Sequence, residues 1–182
     1  MAAAVFTATA SLVIALAGFY LNQRSTLLMS RQQARLGRVN AQIQELYGPL
    51  LALSDVNETL WEALRSDGLP SQRERHSATL NEQDQREWDR WRRLAFMPTN
   101  RQMKDLIINR ADLIVEGAVP APLLQFCAHV TAEEVLLSDD GAPASGRALV
   151  GHPGAAFVDY IHDTFTTLKA QQGALVNRIG SD

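Results

Sequence analysis

Apolar residues along this chain form one unbroken block followed by spaced stripes. From Ala2 to Leu21 the string AAAVFTATASLVIALAGFYL carries no charge. About 20 apolar residues, coiled as a helix, match the hydrocarbon thickness of a bilayer. A single helix also pairs its own backbone amides, which lipid requires. The expectation is therefore a transmembrane helix over residues 1–21. Beyond it the pattern becomes periodic: Leu36, Val39, Ile43, Leu46, Leu50 and Leu53 recur at steps of three and four. Such a heptad seam packs on another helix, either within the chain or on a second copy.

Breakers and caps divide the rest. Gly48-Pro49 is expected to break or kink the seam helix, since proline lacks an N–H and crowds the carbonyl one turn back. That gives a juxtamembrane amphipathic stalk over 22–47. If it is continuous with the anchor, the helix from Ala2 to Tyr47 is roughly 69 Å long at 1.5 Å per residue. A second helix should run from Pro49 to Asp67-Gly68 through Leu50, Leu53, Leu60, Trp61 and Leu64. The polar tract from Pro70 to Gln83 reads as a loop. A third helix, about Gln83 to Phe96, puts Trp88, Trp91, Leu94 and Ala95 on one side and stops at Pro98. Helices about Asn100–Gly117, Ala121–Leu137 and Gly154–Val176 follow, with a glycine-rich loop over Ser138–Pro153. The fourth should bury Met103, Leu106, Ile107, Leu113 and Ile114. The fifth should bury Leu123, Leu124, Phe126, Cys127, Val130 and Val135, and the last Phe157, Tyr160, Ile161, Phe165 and Leu168. No run of period two appears, so the fold class is all-α: a transmembrane helix extended into a stalk, then a bundle of four to five helices over 48–182.

Charge fixes an orientation. The first 44 residues hold arginines but no acids, although the whole chain carries a net charge of −3. Arg24, Arg31, Arg35 and Arg38 all follow the apolar run, so the positive-inside rule places the bundle on the cytoplasmic side, most simply of a bacterial inner membrane. Arg24 and Arg31 lie nearest the leaflet and should reinforce the anchor. A cleaved secretory signal would need basic residues ahead of the apolar run, and an amphipathic presequence would not carry an unbroken apolar block. The acidic remainder disfavours nucleic acid as a partner. One cysteine, Cys127, excludes an internal disulfide framework.

Three strings, LYGPLLAL at Leu46–Leu53, FMPTN at Phe96–Asn100 and LLQFCAHV at Leu123–Val130, resemble bacterial proteins that join one N-terminal membrane helix to a small helical domain. The resemblance implies that architecture and no biochemical role. It departs where Glu133-Glu134 stand in place of an aromatic residue expected shortly after the CAHV string.

Candidate chemistry is sparse. His129 and Glu133 share a helix face, and His162 with Asp159 or Asp163 could meet them, but the Glu-x-x-His pairs of a di-metal bundle are absent. Short Cys/His spacings for zinc are absent too. Cys127 and His129, two apart on a helix, point away from each other. No metal or cofactor is expected. Arg86, Arg90, Arg92 and Arg93 around Glu87 and Asp89 read as a solvated, salt-bridged face. The leading expectation is a non-catalytic, membrane-anchored interaction or scaffold protein, or an accessory subunit of a membrane assembly. Its partner seam is Leu36, Val39, Ile43 and Leu46, and its partners are the bilayer and either its own copies or other membrane subunits. The alternative is a tethered sensory domain holding a small apolar ligand or lipid among Trp61, Trp88, Trp91, Phe157 and Phe165.

Overall fold

The computed structural model describes the backbone of residues 2–69, 81–138 and 149–180, with side chains from Leu16 onward. Every regular element among the described residues is helical. We label them α1 (Ala2–Ala41), α2 (Gly48–Ser66), α3 (Glu82–Trp91), α4 (Met97–Asn109), α5 (Ala121–Leu137) and α6 (Ala155–Ile179). Most of the two expected loops, residues 70–80 and 139–148, lies outside the described residues.

Pro49 stands in the first turn of α2, as expected, but Pro98 does not stop its helix, and in both places a π turn takes the place of a break. A π-helical segment, Gln42–Tyr47, joins α1 to α2, and a second, Arg92–Phe96, joins α3 to α4. Each sits just ahead of an X-Pro pair, Gly48-Pro49 or Met97-Pro98. In both, the amide before the proline bonds five residues back, Gly48 to Ile43 and Met97 to Arg92. A proline cannot donate to the carbonyl four residues back, and its ring crowds that oxygen. One widened turn relieves both problems and lets the helix continue. The first of these turns is tight, since a Cβ on Gly48 would stand 2.6 Å from the Ile43 carbonyl oxygen.

Two compact units result: Met1–Asn40 with Ala170–Asp182, and Ala41–Lys169. In the smaller unit Gln172 Nε2 donates to Asn40 Oδ1 at 2.7 Å and Val39 is buried. In the larger, Leu46, Tyr47, Leu50, Met97, Met103, Leu123, Phe126, Val130, Phe157, Ile161 and Leu168 form the core. α4 ends sooner than expected, at Asn109. A 3-10 turn, Ala111–Leu113, follows, and its last residue Leu113 and the next, Ile114, are buried.

Three core expectations are corrected. Leu94 is exposed, and Arg92, two residues earlier in the same π turn, is buried in its stead. Leu124 and Val135 of α5 are 56% and 67% exposed rather than buried. Leu123, Phe126, Val130, Glu133 and Leu137 take the inner face instead. As for the anchor, no helix among the described residues is long and apolar enough to cross a membrane. Most of the Ala2–Leu21 run falls where side chains lie outside the described residues.

Candidate functional site

Helix α5 gathers most of the polar chemistry in the larger unit. Its buried Glu133 Oε2 accepts from Arg92 Nε at 2.6 Å and also meets Arg92 Nη2, while Asp89 stands 4.0 Å from Arg92 Nη1. Arg92 thus leaves the solvated face assigned to it and anchors α5. A buried carboxylate persists only when paired in this way. Next to it, Glu134 takes Lys104 at 2.5 Å and Arg101 at 3.1 Å. The Lys104 hydrogen bond is the main reason its carboxyl is held below the usual range. Arg93 Nη1 donates to the Leu137 carbonyl at 3.4 Å, satisfying one open group at the end of the helix.

On another side of α5 lies an aromatic group. Phe126 and Phe157 stack at 4.0 Å, and the His152 ring sits edge-on to Phe126 at 5.6 Å and to His129 at 5.1 Å. His129 Nδ1 lies 2.8 Å from the Val150 carbonyl, which only accepts, so Nδ1 carries the proton. His152 Nδ1 accepts from the Gly154 N–H at 2.9 Å, so its proton is on Nε2. Gly154 adopts a φ of 60°, which suits glycine, immediately before α6 begins. Burial, helped by the neighbouring His129, pushes the His152 pKa down to about 4.

A third polar group is a directional chain of hydroxyls. Tyr160 donates to Glu116 Oε2 at 2.9 Å, because a carboxylate can only accept. Tyr47 must then donate to the Tyr160 oxygen, 2.9 Å away, while its own oxygen takes the Val115 N–H at 3.4 Å. Burial raises the pKa of both phenols, and the hydrogen bonds to Tyr47 and Glu116 raise that of Tyr160 further. Both rings therefore remain neutral, and they tie the segment before α5 to the π turn and to α6.

The residues singled out from sequence are dispersed. Arg24 and Arg31 are exposed on α1. Of the seam, Val39, Ile43 and Leu46 are buried inside the chain and Leu36 is half-buried, so this stripe is largely satisfied without a second copy. Trp61 and Trp88 meet edge-on at 5.9 Å and both contact Phe96. Phe157 belongs to the Phe126 stack, Trp91 is half-buried, and Phe165 lies beside Gly48. Of the suspected ligand-lining residues, Trp61 and Trp88 thus share one ring group and Phe157 belongs to another.

The possible metal ligands also separate. His129 and Glu133 turn to Val150 and Arg92, and His162 Nε2 pairs with Asp55 at 2.8 Å. Among the described residues no three His, Cys, Asp or Glu side chains converge as metal ligands. Burial pushes the Cys127 thiol up, which makes it a poor nucleophile at neutral pH.

Sequence reasoning missed Arg92 with Glu133 and Tyr47 with Tyr160, because each pairing spans a long loop of chain and leaves no local spacing to read. No family model matches this chain, and no curated protein or solved structure matches it either.

Proposed function

We propose that this chain is a membrane-anchored, non-catalytic interaction protein, held to a bilayer by α1 and working through the surface of its helical domain. The observation that carries the reading is the exposure of Leu16, Phe19, Tyr20 and Leu21, each more than half open, at the described end of α1. Phe19, Tyr20 and Leu21 are consecutive, so on a helix they span about 200°. An amphipathic helix lying on a surface keeps its apolar residues on one side, whereas apolar residues all round call for lipid. The uncharged string upstream extends the same character over Ala2–Leu21. Exposed Arg24 and Arg31 follow at the position where cations meet anionic headgroups, and they orient the domain to the cytoplasmic side.

The non-catalytic part rests on how the reactive groups are engaged. Glu133, Glu134, His129 and His152 each hold a structural partner. Partners are copies of this chain or other subunits of a membrane assembly. Fractionation of expressing cells tests the anchor: the protein should sediment with membranes, resist alkaline carbonate and need detergent for release. Full-length protein in a detergent-free high-speed supernatant overturns it. Blue-native electrophoresis of the solubilised membranes tests the rest, and a strictly monomeric band with no co-purifying chain would refute the interaction role.

A further inference from the structure

Residues 150–154 form a strap that leads into α6 and lies against one turn of α5, residues 125–129. Gln125 Nε2 donates to the Gly151 carbonyl at 3.3 Å, and His129 donates to that of Val150 at 2.8 Å. The partly buried His152 ring stands edge-on to Phe126 at 5.6 Å and to Phe157 at 6.3 Å. Both phenylalanines are buried, so His152 is part of the cover over their stack.

The two histidines fasten the strap in unlike ways. His129 uses an N–H, which it keeps on taking a second proton. His152 uses a lone pair: its Nδ1 accepts from the Gly154 N–H at 2.9 Å, and a protonated ring has no lone pair to offer. The Gly154 carbonyl takes the Phe157 N–H at 3.1 Å, so the His152 bond closes onto the start of α6. An imidazolium there meets the positive end of the helix dipole. It also stands 5.1 Å from the His129 ring, centre to centre. No acid faces it among the described residues that pack on it. Glu133 of α5 is turned to Arg92, Asp159, the first acid of α6, is exposed, and the strap carries no other charged side chain. His129 is the titratable neighbour whose charge acts on His152.

We propose that the strap is an acid-operated latch: neutral His152 holds it shut, and a proton on His152 releases residues 150–154 from α5 and uncovers the Phe126 and Phe157 stack while the rest of the helical core stays folded. The strap is lightly held, by three hydrogen bonds and one ring, so it opens at less cost than the core. Burial and His129 push the His152 pKa down to about 4, which keeps the latch shut through the neutral range. Opening returns the ring to its ordinary pKa of 6.5. The open form then binds a proton that the closed form refuses, so acid favours opening. Between pH 7 and pH 4 these two values raise the opening equilibrium about 100-fold.

Amide exchange followed by NMR on the full-length chain in detergent tests the latch. Rates are read as protection factors, which removes the intrinsic pH dependence of exchange. The Gly154 amide should be far less protected than those of Met103 and Ile107 in α4 at every pH, because it opens without them. Its protection should fall about 100-fold from pH 7 to pH 4. His152→Asn, which keeps an acceptor and removes the titration, should cut that fall to a few-fold. Nitrogen shifts of the parent His152 ring check the fastening without any variant, and should show Nδ1 bare and Nε2 protonated at pH 7. A Gly154 amide as protected as Met103 would mean that the strap opens only when the whole chain unfolds, and would overturn the inference. So would an acid loss that His152→Asn shares in full, or a His152 ring carrying its proton on Nδ1 at pH 7.

Discussion

Helices α1 and α5 both hold apolar side chains against solvent, and the way they distribute them differs. At the described start of α1, Phe19, Tyr20 and Leu21 stand open over about 200° of the helix. On α5 the open apolar residues Leu124 and Val135, eleven positions apart, project within about 20° of each other. Open apolar area on all sides is the reason we propose lipid around α1, whereas α5 shows open apolar area on a single stripe only. Hydropathy averaged along the chain does not separate these cases, whereas the angular spread does.

The largest expected effect breaks the α1 side of this contrast. A lysine or arginine near the middle of a spanning helix costs about 2.5–3.5 kcal/mol on insertion scales. Leu12→Lys with Leu16→Lys should thus cost on the order of 5 kcal/mol and move most of the protein from the membrane fraction to the supernatant. Leu124→Lys with Val135→Lys adds the same charge to α5 and should leave the membrane fraction unchanged. Equal partitioning of the two double variants would erase the distinction.

Around α5 itself the effects should fall off with direction. Glu133 faces inward to Arg92, and removing one member of a buried pair strands the other charge, at about 3–5 kcal/mol. Glu133→Ala should lower the midpoint of chemical denaturation accordingly. Val135→Ala, two residues on and outward, should stay within about 0.5 kcal/mol of the parent. Replacing the whole pair, Arg92→Met with Glu133→Leu, should recover most of the loss, since neither charge is then left alone.

Much of this was legible in the sequence, and the illegible part has a physical reason. α5 was expected over Ala121–Leu137 and is found there, because Pro120 and Pro122 open it and three-four spacing runs through it. The sequence reading puts Leu124 and Val135 in the core beside Leu123, Phe126 and Val130, and only the last three are buried. Leu124 and Val135 are as apolar as Leu123 and Val130, so composition favours neither face, and the Glu133 to Arg92 bond that accompanies the inner face spans 41 residues and leaves no local signal. Pro49 opens α2 as the sequence reading has it, whereas Pro98 looks like a stop to a local rule, and the π turn ahead of it lets the helix pass. The seam at Ile43 and Leu46 was recognised as a seam, but the pattern alone does not say whether its cover comes from within or from a second copy.

The flank of α5 that carries His129 should respond to pH. The ordinary histidine pKa is 6.5, while in the folded chain His152 is pushed down to about 4, mainly by burial. Between these values the unfolded chain binds a proton that the folded one refuses, so stability falls as pH falls through this window. The contribution is intact above about pH 7 and fully lost below about pH 4, and amounts to about 3 kcal/mol at one pKa unit per 1.36 kcal/mol. His152→Asn keeps an acceptor for the Gly154 N–H and removes the titration. Its denaturation midpoint should change less between pH 7 and pH 4.5 than that of the parent, and an identical slope would discard His152 as the cause.

The smallest effect belongs to the outer stripe of α5, where Leu124 is exposed. Leu124→Ser removes an exposed side chain whose burial in the monomer is slight, so the denaturation midpoint of dilute, detergent-solubilised protein should move by no more than about 0.5 kcal/mol. If Leu124→Ser instead lowers monomer stability by 2 kcal/mol or more, typical of truncating a core leucine, then Leu124 is a core residue after all. The angular argument separating α5 from α1 would then lose one of the two side chains it stands on.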